Sequence, residues 1–396
     1  IGHTHGSAAS AQIASGLEFY ASLFEQKCKL NWGKVCEVAV RFLPHLEENW
    51  RGYVEEMRGG VLCWLLPATH KSPSWQLCGC RWLYDLVPHN STDGFRGIAD
   101  GAAVPFESIL AMNVRTEIAY GMFDDGCTAL SWYTKESSFV AQNWDWQHEQ
   151  KANLVALRIH QRPKPSIHMI TEAGIIGKIG INSCGVGVLL NAISSPGLSY
   201  TSLPVHLALR AVLDSSSGPS AVQELKTARV AAACHIMIAD AETGGTGLEY
   251  SWKDMAEIEM GSQATGTGSE GQGRGRLRGV VVHTNHFVRE HATGIAEMLE
   301  LPDSIARLAR ITALVRERLE KGEQPSAQAL EEMLQDESGY PTSINRHETD
   351  SSTVATLFSV VMDLKTRKAI VKLGRPSEPE DVVVLDPEMR GDERGE

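Results

Sequence analysis

The sequence has little positive charge and no long apolar run. Its 37 lysines and arginines are outnumbered by 49 acidic residues, which gives a net charge of −12, and the basic residues form no stripe along the chain. A phosphate backbone binds along a basic face, so we expect no nucleic-acid partner. No apolar segment approaches the roughly 18 residues of a membrane-spanning helix, and we expect no membrane insertion.

The sequence also lacks the paired cysteine spacings of a disulfide framework or a zinc site. Only Cys78 and Cys80 lie close together, and neither has histidine or cysteine partners at zinc spacing. We therefore expect reduced thiols and a cytoplasmic location. The chain begins at Ile1 without a methionine and ends in "DERGE" rather than a peroxisomal tripeptide. These ends predict a true N-terminus upstream and no peroxisomal targeting.

A chain of 396 residues can bury a large core without metal or disulfide support. Residues 1–126 carry apolar residues at helical spacing and are predicted to be mainly helical. From Thr128 the pattern changes to short runs rich in β-branched and aromatic residues, which indicates hairpins. Further strands then alternate with helices predicted at 204–214, 219–230, 302–320 and 326–336. This order favours an α+β layered fold over a doubly wound parallel sheet.

Two segments interrupt the pattern. Residues 261–279 are rich in glycine and predict a flexible surface loop. Gly266, Gly268 and Gly271 match G-x-G-x-x-G by letter, but no helix follows to bind a pyrophosphate, so we expect no nucleotide there. Residues 60–97 have no clear period; the family resemblance given below implies that they are an insert, and we expect either a translated, unspliced intron or a lineage-specific surface loop.

The stretch "DDGCT" suggests that Cys127 is a nucleophile. An unperturbed thiol, with a pKa near 8.5, needs a base or a nearby cation to attack a carbonyl at neutral pH. Cleavage before Cys127 would create an α-amino group with a pKa of about 7.7–8.0, which could serve as that base. Gly126 would tolerate the strained backbone of an N-to-S acyl shift. The alternative is a small core residue, the usual environment of a cysteine.

A hairpin places a carboxylate near this cysteine. If residues 127–134 and 138–146 pair around Glu136, Asp145 lies directly across from Cys127, with Cβ atoms roughly 4.5–5.5 Å apart. Its charge would then hold an ammonium group. A slip of one residue would place Asp145 on the other face of the sheet.

An amide near the end of an apolar strand is the second candidate partner. Asn285 follows "VVVHT" and could donate a hydrogen bond to an oxyanion. His283 and His286 flank it, but no third ligand stands at a suitable spacing. We therefore expect these histidines to form hydrogen bonds in or near the core rather than to bind a metal.

The motifs resemble, in this order, those of one enzyme family: "DGCT", "QNWDW", "ITEAGIIGKIGINSCGVGV", "VHTNH", "LPDS", "ATLF" and "KLGRP". The family is that of the acyl-coenzyme A:6-aminopenicillanate (isopenicillin N) acyltransferases, which are N-terminal nucleophile hydrolases of the peptidase C45 type. The resemblance implies a four-layer αββα fold and a precursor that cuts itself between Gly126 and Cys127. The products would be a helical chain, 1–126, and a larger chain, 127–396, associated as one composite domain.

The resemblance also implies roles for single residues. Cys127 would take an acyl group as a thioester, Asn285 would donate to the oxyanion, and Asp145 would help bind the amine-bearing substrate. Arg346 would bind a carboxylate or shape the pocket, with a structural salt bridge as the alternative. No metal or cofactor is implied, and acyl-coenzyme A is a co-substrate.

The expected reaction is acyl transfer from acyl-coenzyme A, or from an amide, to an amine such as 6-aminopenicillanate or a related amino acid or peptide, as in antibiotic biosynthesis. Hydrolysis of N-acyl amino acids or peptides through the same acyl-enzyme is one alternative, and an inactive, unprocessed paralogue is another. The family carries an arginine just before "ATLF", where this chain has Thr353 and Val354. Loss of that charge argues against penicillin substrates.

Overall fold

The computed structural model describes residues 1–59, 97–119, 126–262, 277–292, 294–298, 301–350 and 352–387, together with the backbone of 83–86. The glycine-rich segment predicted as a loop at 261–279 lies largely outside the described residues. So does most of the segment 60–97 that we interpreted as an insert.

The first part of the described chain is helical, as predicted. Its α-helices are α1 (Gly2–Ala8), α2 (Ser10–Leu23), α3 (Trp32–Val40), α4 (Leu43–Asn49), α5 (Arg51–Arg58), α6 (Ile98–Ala102), α7 (Phe106–Asn113) and α8 (Arg115–Ala119). A π-helical turn, Phe24–Cys28, extends α2. Asn31 caps α3 by accepting a hydrogen bond from the backbone N–H of Lys34.

Four further α-helices follow: α9 (Val205–Asp214), α10 (Gly218–Ala228), α11 (Pro302–Glu320) and α12 (Ala327–Leu334). A proline stands in the first turn of α10 and of α11, where its fixed φ suits a helix start. Ser217 and Ser326 cap α10 and α12 with their side-chain oxygens. Among these described helices, none combines the length and apolar composition needed to cross a bilayer.

The described strands form two sheets. They are β1 (Leu83–Leu86), β2 (Gly126–Tyr133), β3 (Ser138–Gln147), β4 (Leu154–Ile159), β5 (Ile167–Glu172), β6 (Ile179–Asn182), β7 (Gly187–Ala192), β8 (Cys234–Asp240), β9 (Gly244–Tyr250), β10 (Met255–Glu259), β11 (Val280–His283), β12 (Val354–Asp363), β13 (Lys368–Leu373) and β14 (Asp381–Leu385). Sheet A has the order β1-β4-β5-β6-β7-β8-β9-β10, and sheet B has the order β11-β2-β3-β12-β13-β14. Neighbouring strands are antiparallel except β1 and β4.

Two hydrophobic clusters give the molecule four layers. The larger joins the helical part and α9 to sheet A and to the inner face of sheet B, where Cys127 and Trp144 lie. The smaller lies on the outer face of sheet B, where Leu130 and Trp132 pack against α11 and α12. The order helix, sheet, sheet, helix is the predicted αββα arrangement. Cys127 thus lies between the two sheets, at the start of β2.

Candidate active site

The hairpin of β2 and β3 positions the predicted nucleophile, but its register is not the predicted one. Cys127 pairs with Trp144, and Gly126 pairs with Asp145. Thr134 and Ser137 exchange backbone hydrogen bonds of 2.8 and 3.3 Å, so the turn is centred between residues 135 and 136 rather than on Glu136. A two-residue loop is the commonest hairpin connection and shifts every pair by one. The prediction that Asp145 lies directly across from Cys127 was therefore wrong.

Asp145 consequently lies behind the Gly126–Cys127 bond, on the other face of the sheet. A Cβ added to Gly126 would stand 2.7 Å from Asp145 Oδ2 and 3.2 Å from Asp145 Cβ, so any larger residue would force the Asp145 side chain to shift. The close approach of Asp145 favours glycine at this position, and the expectation that Gly126 tolerates the strained backbone of an acyl shift stays a prediction.

Asn285 lies directly beside the nucleophile. The backbone N–H of Cys127 donates to Asn285 Oδ1 at 2.7 Å, and Asn285 Nδ2 donates to the carbonyl of Ala192 at 3.2 Å. Both residues are only 1% exposed. The nitrogen that would become the new α-amino group is thus held by the amide predicted to stabilise the oxyanion.

A buried group of charges surrounds Asp145. Thr356 donates to Asp145 Oδ1 at 2.7 Å, Arg346 Nε lies 3.8 Å from Asp145 Oδ2, and Arg346 also pairs with Asp303. Oδ2 makes no hydrogen bond within the described residues. Burial raises the pKa of Asp145, and the charges of Arg346 and Arg307 partly oppose this rise. The site therefore contains a carboxylate oxygen that can accept a hydrogen bond from a ligand.

Neutral side chains occupy the position before "ATLF" where the resemblance implies an arginine. Thr353 hydrogen-bonds Gln147 through its hydroxyl group, and Val354 is buried and pairs with Gln147 at the start of β12. Arg346 lies beside Asp145 and forms an ion pair with Asp303, as expected for the alternative in which Arg346 forms a structural salt bridge. These contacts leave its role in substrate binding a prediction.

The histidines around Asn285 form hydrogen bonds in the core. His283 Nε2 lies 2.8 Å from Glu249 Oε1, and the ring stacks on that of His235 with centroids 3.7 Å apart. His286 Nδ1 lies 2.8 Å from Ser304 Oγ. Within the described part of the chain, no group of three or more candidate ligands is placed to hold a metal ion.

Two cations near Cys127 were missed by sequence reasoning. Arg307 on α11 donates to the carbonyl of Cys127 at 2.6 Å. Lys178 lies 3.5 Å from the ring centroid of Trp144, the register partner of Cys127. Burial lowers the pKa of Lys178 to about 8, against the opposing effect of Glu172. Lys178 lies inside the motif that contains "GIIGKIG", and Arg307 follows shortly after "LPDS". Periodicity alone could not show that these two side chains point into the protein.

Comparisons with known proteins identify the family of the chain. Residues 132–378 match the family model described as acyl-coenzyme A:6-aminopenicillanic acid acyl-transferase. The chain is 34% identical, over 97% of its own length and 92% of the relative's, to the 40 kDa form of acyl-coenzyme A:6-aminopenicillanic-acid-acyltransferase from Emericella nidulans.

The solved structures that resemble the chain include a conjugated bile acid hydrolase and a penicillin V acylase. A variant of the conjugated bile acid hydrolase from Clostridium perfringens is 15% identical with a TM-score of 0.44, covering 66% of this chain and 92% of that one. Penicillin V acylase from Agrobacterium tumefaciens is 13% identical with a TM-score of 0.41, covering 66% and 86%.

The predicted α+β fold with four αββα layers is confirmed by the two sheets and by the helices that pack against them on both sides. The family match and the Emericella nidulans relative also confirm the resemblance inferred from the ordered motifs. The chain belongs to the acyl-coenzyme A:6-aminopenicillanic acid acyltransferase family and is accordingly an acyltransferase or amidohydrolase.

Proposed function

We propose that the protein cuts itself before Cys127 and then transfers acyl groups from acyl-coenzyme A to an amine through a thioester on this cysteine. The observation that carries the proposal is the contact of 2.7 Å between the backbone nitrogen of Cys127 and Asn285 Oδ1. It sets the backbone nitrogen of the bond to be cut against a side-chain amide in a buried site next to Gly126, where the resemblance implies that cleavage occurs.

Self-cleavage requires an acyl shift followed by hydrolysis. Cys127 Sγ attacks the carbonyl carbon of Gly126, the bond from that carbon to the Cys127 nitrogen breaks, and the nitrogen takes up a proton. Water then hydrolyses the resulting thioester to a Gly126 carboxylate and a thiol. The product is a Cys127 with its own α-amino group, a base of suitable pKa at neutral pH.

Acyl transfer uses the same sulfur. The amine takes the thiol proton, the thiolate attacks the acyl-coenzyme A thioester, and coenzyme A leaves as a thiol after receiving that proton. An acceptor amine then attacks the Cys127 thioester and restores the thiol. Because one thioester replaces another, the activation of the acyl group is conserved until the amide bond forms. Attack by water instead would give the hydrolase reaction.

Asp145 Oδ2 supports an amine as the acceptor. It is buried, makes no hydrogen bond within the described residues, and faces the position of Gly126. A buried acceptor without a donor is costly, and an ammonium group of a substrate would satisfy it. With Thr353 and Val354 replacing the family's arginine, a 6-aminopenicillanate carboxylate lacks that partner, so we infer an amino acid or peptide amine.

The test is product analysis with acyl-coenzyme A in the presence and absence of amino-acid amines. We expect a mass increase of one acyl group on the fragment that begins at Cys127, and loss of that mass with formation of an N-acyl product when the amine is added. Acid as the main product with or without amine would instead favour the hydrolase. No acylation of self-cleaved protein by any acyl-coenzyme A would contradict the proposal.

A further inference from the structure

A buried arginine outside the predicted site contacts both of its central residues. Arg307 lies on α11, close to its N-terminus, and is 2% exposed. The helix start is fixed against Asn285, because the backbone N–H of Asn285 donates to Ser304 Oγ at 2.7 Å. The guanidinium group therefore approaches β2 from the outer face of sheet B.

The guanidinium group connects the nucleophile to the amide. Nη1 donates to the carbonyl of Cys127 at 2.6 Å and to Thr128 Oγ1 at 3.2 Å. Nη2 donates to Asn285 Oδ1 at 3.0 Å and to Asp303 Oδ2 at 3.3 Å. A planar fork with several donors can hold two acceptors at fixed positions, which a single ammonium group cannot do.

This contact determines which way the Asn285 amide faces. Two donors, the backbone N–H of Cys127 and Arg307 Nη2, converge on the same amide atom. Neither donor can accept a hydrogen bond, so that atom must be the oxygen. Nδ2 is then directed away from both donors, where it donates to Ala192. A rotation of 180° would place the amide hydrogens against two donors and is excluded.

We propose that Arg307 is a positioning residue that holds the Cys127 carbonyl and the Asn285 amide in the orientation that self-cleavage and acyl transfer require. The inference rests on the function proposed above. Arg307 acts through the two groups that it aligns rather than on the reacting sulfur. Without it, Asn285 Oδ1 loses one of its two donors and the carbonyl of Cys127 loses its guanidinium donor, so both groups are held less firmly.

The experiment follows self-cleavage of full-length chains by mass spectrometry after cell-free synthesis. We expect Arg307→Gln to slow cleavage roughly tenfold or more, up to about 10²-fold, a loss comparable to that of one oxyanion donor. Arg307→Lys keeps the charge but not the fork and should lie in between. The matched control is Arg310→Gln on the same helix, since Arg310 is 40% exposed and pairs with Asp336 away from the site.

A double variant separates positioning from general stability. Because Arg307 acts partly through Asn285, adding Arg307→Gln to Asn285→Ala should slow cleavage by a smaller factor than Arg307→Gln does alone, whereas independent effects would multiply. Thermal melts identify variants that fail to fold. If Arg307→Gln does not fold, the cleavage rate of Arg307→Lys is compared with that of the wild type instead.

The possible outcomes are distinct. Cleavage of Arg307→Gln and Arg307→Lys at the wild-type rate, or fully multiplicative losses in the double variant, would overturn the inference and leave the proposed function intact. A wild-type chain that never cleaves would overturn the proposed function itself.

Discussion

At the scale of single residues, the site depends on close contacts that the sequence indicates only in part. Cys127 and Asn285 could be chosen from their motifs, because each stands where a strand begins or has just ended. Arg307 could not, since an arginine on an amphipathic helix normally faces solvent. Its burial is set by the packing of α11 on sheet B, which no local pattern specifies.

Gly126 provides the sharpest prediction at this scale. In a Gly126→Ala variant the new methyl group would lie 2.7 Å from Asp145 Oδ2, and the carboxylate is held by Thr356 and cannot withdraw freely. Relief of this clash would displace the scissile bond from the attacking sulfur. We expect self-cleavage to slow at least about tenfold, because small displacements of reacting groups are costly in catalysis. Cleavage is measured by intact mass over time.

Gly52→Ala is the control for this substitution. Gly52 lies in α5, and nothing stands within 4 Å of a Cβ placed there. Alanine should leave cleavage unchanged and stabilise the helix slightly. Equal cleavage rates for Gly126→Ala and Gly52→Ala would show that the contact with Asp145 does not constrain the reaction.

At the scale of elements, the position of a strand in its sheet determined whether the sequence predicted it. The long central strands β2, β3 and β12 were predicted because their apolar runs are strong. The strands β10 and β14 were missed: they lie at sheet edges, each has only five residues, and most of those residues are not fully buried. Such strands are specified by their neighbours more than by their own composition.

Register was the other element-scale difference. The sequence limited the turn of β2 and β3 to a few residues, but it could not distinguish a turn centred on one residue from a turn centred between two. Because side chains alternate along a strand, this single position moved Asp145 from the face of Cys127 to the opposite face.

The packing of α8 against α9 predicts a pH dependence of stability. Glu117 is buried, accepts a hydrogen bond from the backbone N–H of Val205 at 2.7 Å, and its other oxygen makes no hydrogen bond within the described residues. Burial raises its pKa to about 7 from an ordinary value of 4.5. As pH rises from 4.5 to 7, the unfolded chain ionises before the folded chain, so stability falls.

Glu117→Gln should therefore stabilise the protein increasingly as pH rises from 4.5 to 7, and fully above pH 7. We expect a gain of up to about 3 kcal/mol in the free energy of unfolding at pH 8 and almost none at pH 4.5, measured by urea denaturation. Glu18→Gln on the exposed face of α2 is the control and should change neither value. Destabilisation of Glu117→Gln by the same amount at both pH values would contradict the assignment.

At the scale of the whole molecule, a buried cluster connects the helical part to the sheets across the proposed cleavage point. Arg115 pairs with Glu172 at 2.7 Å and lies 2.7 Å from His206, while Tyr20 and Lys178 also hydrogen-bond Glu172. Burial alone would raise the pKa of Glu172, but Arg115 and Lys178 hold it at about 2.

This cluster argues that the two chains stay together after cleavage. Tyr20 and Arg115 would belong to the chain 1–126, and Glu172, Lys178 and His206 to the chain 127–396. Separation would leave charges that are now paired and buried without their partners, which is strongly unfavourable. The apolar cluster that the two parts share adds to this cost.

The most direct test is the mass of freshly purified protein beside a Cys127→Ala variant, measured after denaturation and again after native size-exclusion chromatography. We expect two fragments from the wild type, ending at Gly126 and beginning at Cys127, that elute together under native conditions, and one intact chain from Cys127→Ala. A single intact chain in both samples, from folded protein, would contradict self-processing and with it the role of Cys127 as an N-terminal nucleophile.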